Sequence, residues 1–218
     1  CKQYAFYPLD SLDPALNTPI HKLFTPNWNI IDILKAFSLG LSNICFSTKW
    51  YSSIPITIGL LFASPITCLM AWIGSFVGIF ASLSIGIPSN AMNTGLWNFN
   101  ATLTAMMVGG LFFVFTKKNL IITILASYMA AIFTGSFDVL FSPFGIPGLS
   151  YPSFFIVILF QLAPWPDQNI IPVNIMAVTT PEDHLKRFNL SKFLLSKFGI
   201  VRSVAAYNEI IPKSSEDM

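Results

Sequence analysis

The chain has 218 residues, of which 54% are hydrophobic and only 10% charged, with a net charge of +2. Soluble domains carry roughly 25% charged residues, so this composition and a mean hydropathy of +0.65 argue against a water-soluble globule. The small net charge, with no basic residues clustered among aromatics, argues against a nucleic-acid partner. From Tyr51 to Thr116 there is no Asp, Glu, Lys, Arg or His, and a helix there has no polar face to offer water. The sequence reads as an all-α polytopic membrane protein. Cys1, Cys45 and Cys68 form no CxxC pair, and His21 and His184 lie in polar flanks, so neither a metal site nor a cofactor is expected. No signal peptide is read at the start, and an opening on Cys1 rather than methionine suggests that residues are missing upstream.

Spanning helices need roughly 20 apolar residues each. Residues 1–29, rich in Pro and Asp, read as a solvent-side arm or a linker between repeats. Ile30 to Phe46, a moderately apolar stretch broken by Asp32 and Lys35, predicts a helix entering from an interface. Ile54 to Ile87 is long enough for two helices, with Pro65 as the break. Gly95 to Thr116 predicts another, closed by Lys117 and Lys118, and Asn119 to Phe141 the next. Tyr151 to Ala163 is a shorter last one, so residues 30–166 form the transmembrane unit and 167–218 a polar tail. Lys186, Arg187, Lys192, Lys197 and Arg202 in that tail predict a cytoplasmic carboxyl terminus. No internal repeat is found. Gly74, Gly78, Ser82 and Gly86 recur every fourth residue, a small-residue stripe that suits either close packing within the chain or a contact between subunits.

Two stretches are more specific. One runs Gly95-Leu96-Trp97-Asn98-Phe99-Asn100-Ala101-Thr102-Leu103 and continues to Gly109-Gly110. The other runs Gly145-Ile146-Pro147-Gly148-Leu149-Ser150-Tyr151-Pro152. Together they resemble the urea transporter family, with its Gly-Leu-(Trp/Tyr)-Gly-(Phe/Tyr)-Asn and Leu-Pro-x-x-Thr-x-Pro-Phe signatures. Ser64 to Leu69, Ile73 to Ser75 and Val178 to Glu182 are similar to other parts of the same family, so the likeness runs from about Pro26 to Leu190. The resemblance implies a passive urea pathway built from two inverted halves and assembled as a homotrimer in the plasma membrane. It implies that this chain is the carboxyl-terminal half: one inverted repeat, with about five spanning helices plus a half-helix. The absent internal repeat agrees with a truncated sequence; a true half-length product is the alternative.

Urea is planar and uncharged, with four N–H donors and one carbonyl. Crossing apolar protein costs several kcal/mol unless its water partners are replaced. A flat slot with apolar walls and oxygen acceptors along its edge does this, and offers a hydrated ion no compensating charge. By resemblance Phe99 is an aromatic wall of that slot, Leu149 an apolar wall, and Ser150 an edge acceptor in place of the family's threonine. Ser150 also suits a helix N-cap before Pro152. Asn100 either touches urea or braces a broken helix. Asn43 stands where the family carries a pathway-lining glutamine; read alone, it is an interfacial loop or helix-end residue. Pro147 and Pro152 shape the loop that carries Leu149 and Ser150.

This chain departs from the family pattern at Asn98, where the family has glycine, and at Ser153, where it has phenylalanine. Asp138 is the only Asp, Glu, Lys, Arg or His between Asn119 and Pro166, and no substrate role is assigned to it. The competing readings are a non-conducting half-length partner of full-length transporters and a channel for another small amide or ammonia. An intramembrane serine hydrolase at Gly40-Leu41-Ser42 lacks a histidine base in any membrane segment, so an enzyme is not expected.

Overall fold

The computed structural model describes residues 30–87, 94–145, 148–165 and 170–198. The described chain is helical: α1 (Ile30–Ser42), α2 (Ser53–Ala63), α3 (Pro65–Ile85), α4 (Leu96–Met106), α5 (Lys117–Phe141), α6 (Tyr151–Leu162) and α7 (Pro181–Phe198). Residues 1–29, Pro147 and 199–218, each given a reading from sequence, lie outside the described residues.

The predicted break at Pro65 is present, and its cause is local. Proline forces the preceding residue out of the helical region, and Ser64 is extended at φ −164° and ψ 111°. The Ser64 hydroxyl then accepts the Thr67 N–H at 3.1 Å, capping α3. Gly86, left-handed at φ 75°, closes the same helix. Lys117 and Lys118 do not close the preceding helix as expected; they open α5. The Thr116 hydroxyl accepts the Asn119 N–H at 3.1 Å, which fixes the helix start at Lys117. Between them α4 ends in a π-helical turn, Met107–Leu111. The Asn119 amide donates to the carbonyls of Val108 at 3.1 Å and Gly109 at 3.4 Å, groups that the wider turn releases.

The small-residue stripe packs within the chain. A Cβ at Gly74 would lie 2.6 Å from Ala105 Cβ, and one at Gly78 would lie 2.7 Å from Asn98 Cα. Helices α3 and α4 therefore run antiparallel in close contact, and Gly86 belongs to the helix end instead of the stripe. On its other side α4 meets α5, where a Cβ at Gly135 would lie 2.5 Å from the Trp97 ring. Toward the far end of the bundle, Val108, Phe113, Ile122 and Ile156 pack into one apolar cluster with Phe160.

Burial is inverted relative to a soluble protein. Asn98, Asn100, Thr102, Thr104, Asn119 and Ser127 are fully buried, whereas Trp72, Phe76, Phe80, Phe155 and Ile158 are exposed. An apolar exterior around a polar, closely packed interior is what a bilayer demands. Among the described residues, α3 with 21 residues and α5 with 25 are long and apolar enough to cross alone. The segments Ile30–Cys45 and Trp50–Ala63 pass the same test only together, bent by 67°.

Beyond α6 the chain folds back on the bundle. Val114 N–H donates to Ile171 at 3.0 Å and Val173 N–H to Phe112 at 2.8 Å. Helix α7 then docks at the start of α3. One Glu182 carboxylate oxygen accepts both the Ser64 hydroxyl at 2.8 Å and the Ile66 N–H at 3.0 Å.

Candidate functional site

Three interruptions in the helical framework meet around α4. The first is the bend between α1 and α2, where Phe46 is left-handed at φ 54°. The second is the start of α4 at Gly95, left-handed at φ 75°. The third is the turn before α6, where Leu149 is left-handed at φ 38°. Helix rise places the α4 residues beside them well along the neighbouring helices. Asn98 lies against Gly78, about 20 Å along α3 from Pro65 at ~1.5 Å per residue. Asn100 bonds Thr134, about 25 Å along α5 from Lys117 by the same rise. Helix α6, with 12 residues, covers only about 18 Å.

Polar side chains tie the interruptions together. The Asn43 amide donates to the Thr94 carbonyl at 3.0 Å, joining the α1–α2 bend to the start of α4. A Cβ at Gly95 would lie 2.6 Å from that amide nitrogen, so glycine is needed there for space as well as for its dihedral. The Asn100 amide donates to the Leu149 carbonyl and to the Thr134 hydroxyl, both at 3.0 Å. Asn100 thereby holds the third interruption against α4 and α5. The Gly148 backbone N–H bonds the Asp138 carboxylate, which fastens the same turn from α5.

Phe99 points into this region, 4% exposed, with its ring centroid 6.4 Å from that of Phe46. Phe46 itself is 76% exposed. Ser150 is half-buried at φ −95° and ψ 5°, and its hydroxyl makes no cap bond to α6. Its carbonyl instead accepts the Phe154 N–H at 3.1 Å and the Ser153 hydroxyl at 2.8 Å. The side-chain N-cap considered for Ser150 is therefore not formed, because the backbone turn and Pro152 start α6 without it. Leu149 is half-exposed, and Pro152 is buried in the first turn of α6.

Of the residues singled out from sequence, Asn100 and Leu149 are directly bonded, and Phe99 and Ser150 are their chain neighbours. Asn43 engages the other side of α4. Phe46, Thr134 and the bracing part of Asp138 were not anticipated. Phe46 belongs to no motif, and Thr134 had only its place in a run of small residues as a signal. A groove of about 240 Å³ lined by Ile31, Leu34, Lys35, Ser38 and Trp50 contains none of the predicted site residues, so it does not locate them. Among the described residues no cluster of three or more His, Cys, Asp or Glu could hold a metal.

The family model described as urea transporter matches residues 3–164. The chain belongs to the urea transporter family. It is 29% identical over 181 residues to urea transporter 1 of Ovis aries, covering 82% of this chain and 46% of that protein. The same figures hold for urea transporter 1 of Capra hircus. Urea transporter 1 of Rattus norvegicus is 25% identical over 179 residues, again covering 46% of its length. The chain thus spans about half the length of the curated urea transporters it matches. The family match takes in α1 to α6 and every predicted site residue, and stops before α7.

Proposed function

We propose that this chain supplies half of a passive, channel-like urea pathway, with Phe99 and Leu149 as walls and Ser150 as an edge acceptor. The observation that carries the reading is the meeting of three helix interruptions at α4, beside a serine hydroxyl that its own helix leaves unused. Discontinuous helices expose backbone and polar groups at depth only where protein or a solute satisfies them. The Asn43 and Asn100 amide nitrogens and the Asp138 carboxylate are bonded within the chain and brace the site, while the Ser150 oxygen can accept a urea N–H. The Phe46–Phe99 pair supplies aromatic surface for the planar face of the solute.

In this reading residues 30–166 are one inverted repeat, with the bent α1–α2 pair, α3, α4, α5 and the half-helix α6 as its membrane elements. A second, homologous half completes the slot, and the complete units assemble as trimers in the plasma membrane with the basic carboxyl-terminal segment in the cytoplasm.

The test is urea flux into proteoliposomes holding the 218-residue chain, with protein-free vesicles and glycerol as controls. Saturable, urea-selective flux that Ser150→Val and Phe99→Ala each lower is the expected result. Flux that neither substitution changes overturns the site. No flux despite confirmed insertion favours the second reading, a non-conducting partner of full-length transporters, which a chain of about half their length also fits.

A further inference from the structure

Helix α7 lies outside the family match, and its inner face is fully used. Pro181, His184 and Ser191 are buried against the bundle, and Glu182 is bonded to Ser64 and Ile66. Ser64 caps and Ile66 begins α3, a helix long enough by length and composition to span the bilayer, and its 21 residues match a hydrocarbon core of about 30 Å, so a spanning α3 would put α7 at headgroup depth. The opposite face of α7 has a distinct chemistry. Leu190 and Phe193 are 54% and 52% exposed, and Lys186, Arg187 and Lys192 are exposed around them. Lys186 also meets Asp183 at 3.7 Å, but an exposed pair of that kind contributes little and leaves three cations against one carboxylate.

We propose that the outer face of α7 is a docking surface for the anionic headgroups of the bilayer in which the protein sits. Leu190 and Phe193 enter the headgroup–acyl boundary while Lys186, Arg187 and Lys192 pair with lipid phosphate and carboxylate. Large apolar side chains within a basic rim, held at headgroup depth by an independent contact, match an interfacial helix better than a solvated one. A free anion would meet the basic groups but leaves the exposed apolar surface of Leu190 and Phe193 in water.

Amide exchange of 185–193, measured on the full chain in lipid nanodiscs with and without phosphatidylserine, tests this. Each Lys or Arg near an anionic surface contributes about fivefold in binding, so exchange is expected to slow roughly tenfold or more with phosphatidylserine. High salt should reverse the slowing, and Lys186→Gln/Arg187→Gln/Lys192→Gln should abolish it while exchange within 65–85 stays unchanged. Equal protection in neutral and anionic discs would mean that protein, for instance a second copy, covers the face, and it overturns the proposal. So does slowing that survives in the triple variant, because the basic rim is then not the contact.

Discussion

The clasp between α7 and α3 is the contact in this structure whose strength can be worked out most directly. Glu182→Ala removes a carboxylate oxygen that accepts from the Ser64 hydroxyl at 2.8 Å and the Ile66 N–H at 3.0 Å. Hydrogen bonds to a charged acceptor contribute about 1.5–3 kcal/mol each, and the N-terminus of α3 adds a few tenths. Glu182 is half-exposed, so water replaces part of what is lost, and a net cost of about 2 kcal/mol is expected. That corresponds to about a 30-fold rise in the population with α7 undocked. Amide exchange over 181–193 in neutral-lipid nanodiscs should accelerate by that factor, with α5 unaffected. Unchanged exchange in Glu182→Ala would refute the clasp.

The same contact carries a pH dependence. Burial alone would raise the Glu182 carboxyl, but the Ile66 N–H and the Ser64 hydroxyl more than offset it and hold the group below its ordinary 4.5. His184 is held below its ordinary 6.5 by burial and by the nearby Arg187 charge. Its Nε2 accepts the Thr179 N–H at 3.1 Å, which requires the neutral ring on that side. Both groups bind protons more readily when α7 is undocked, so docking strengthens with pH across their windows. Docking is therefore at full strength above about 6.5, weakens as His184 takes up a proton below that value, and weakens again below about 4.5 through Glu182.

Other substitutions test the packing and the site. Gly74→Ala puts a Cβ 2.6 Å from Ala105 Cβ and 2.7 Å from the Ala101 carbonyl oxygen, whereas Gly59→Ala meets nothing within 4 Å. The first is expected to cost about 1–3 kcal/mol and the second to be neutral or to gain up to ~1 kcal/mol, read as melting temperatures in detergent; the reverse order would contradict the α3–α4 contact. Asn100→Ala strands the Leu149 carbonyl but also removes a buried amide oxygen without a partner, so a net cost at the low end, about 1 kcal/mol, is expected, with exchange around 149–154 rising first. Phe46→Gly relieves a left-handed residue by about 1 kcal/mol and should leave stability equal or higher while lowering urea flux; unchanged flux would remove Phe46 from the slot.

The sequence was legible wherever local chemistry decides the outcome. Pro65 dictates an extended residue before it, and the stripe of Gly74, Gly78 and Ser82 marks a close helix approach, so both could be read without coordinates. What that stripe packs against could not be read, since its partners on α4, Ala101, Thr102 and Ala105, are equally plain small residues. The start of α5 was misplaced because Lys117 and Lys118 look like a closing charge pair, and the Thr116 hydroxyl that opens the helix carries no strong signature. At the site, motif likeness singled out Asn100 and Leu149, which prove to be bonded to each other, but not Thr134, which completes the bond set from 34 residues away. The Glu182 clasp spans 118 residues, and no local pattern announces a carboxylate that caps a distant helix.

Asn98 shows how a departure from the family pattern is absorbed. The resemblance puts glycine at this position, where α1, α3 and α4 come closest. Here the side chain is fully buried, and its amide donates to the Ala36 carbonyl at 2.9 Å, tying α1 to α4 one residue before Phe99. Space for it comes from the neighbouring helices. A Cβ at Gly40 would lie 2.7 Å from Asn98 Cβ, and one at Gly78 would lie 2.7 Å from Asn98 Cα. The room that the family's glycine would leave on α4 is thus provided by glycines on α1 and α3, and the added amide converts a close approach into a bonded one. The bond has a cost, because Asn98 Oδ1 is buried without a hydrogen-bond partner among the described residues. An unmet acceptor of that kind is worth about 1–3 kcal/mol, comparable to the gain from the bond to Ala36. Net stability is therefore a weak reason for an asparagine here, and the stronger one is positional. It fixes the register of the bent α1–α2 pair against the helix that carries Phe99, and for Phe99 as the wall proposed above that bond would hold its distance from the opposite wall.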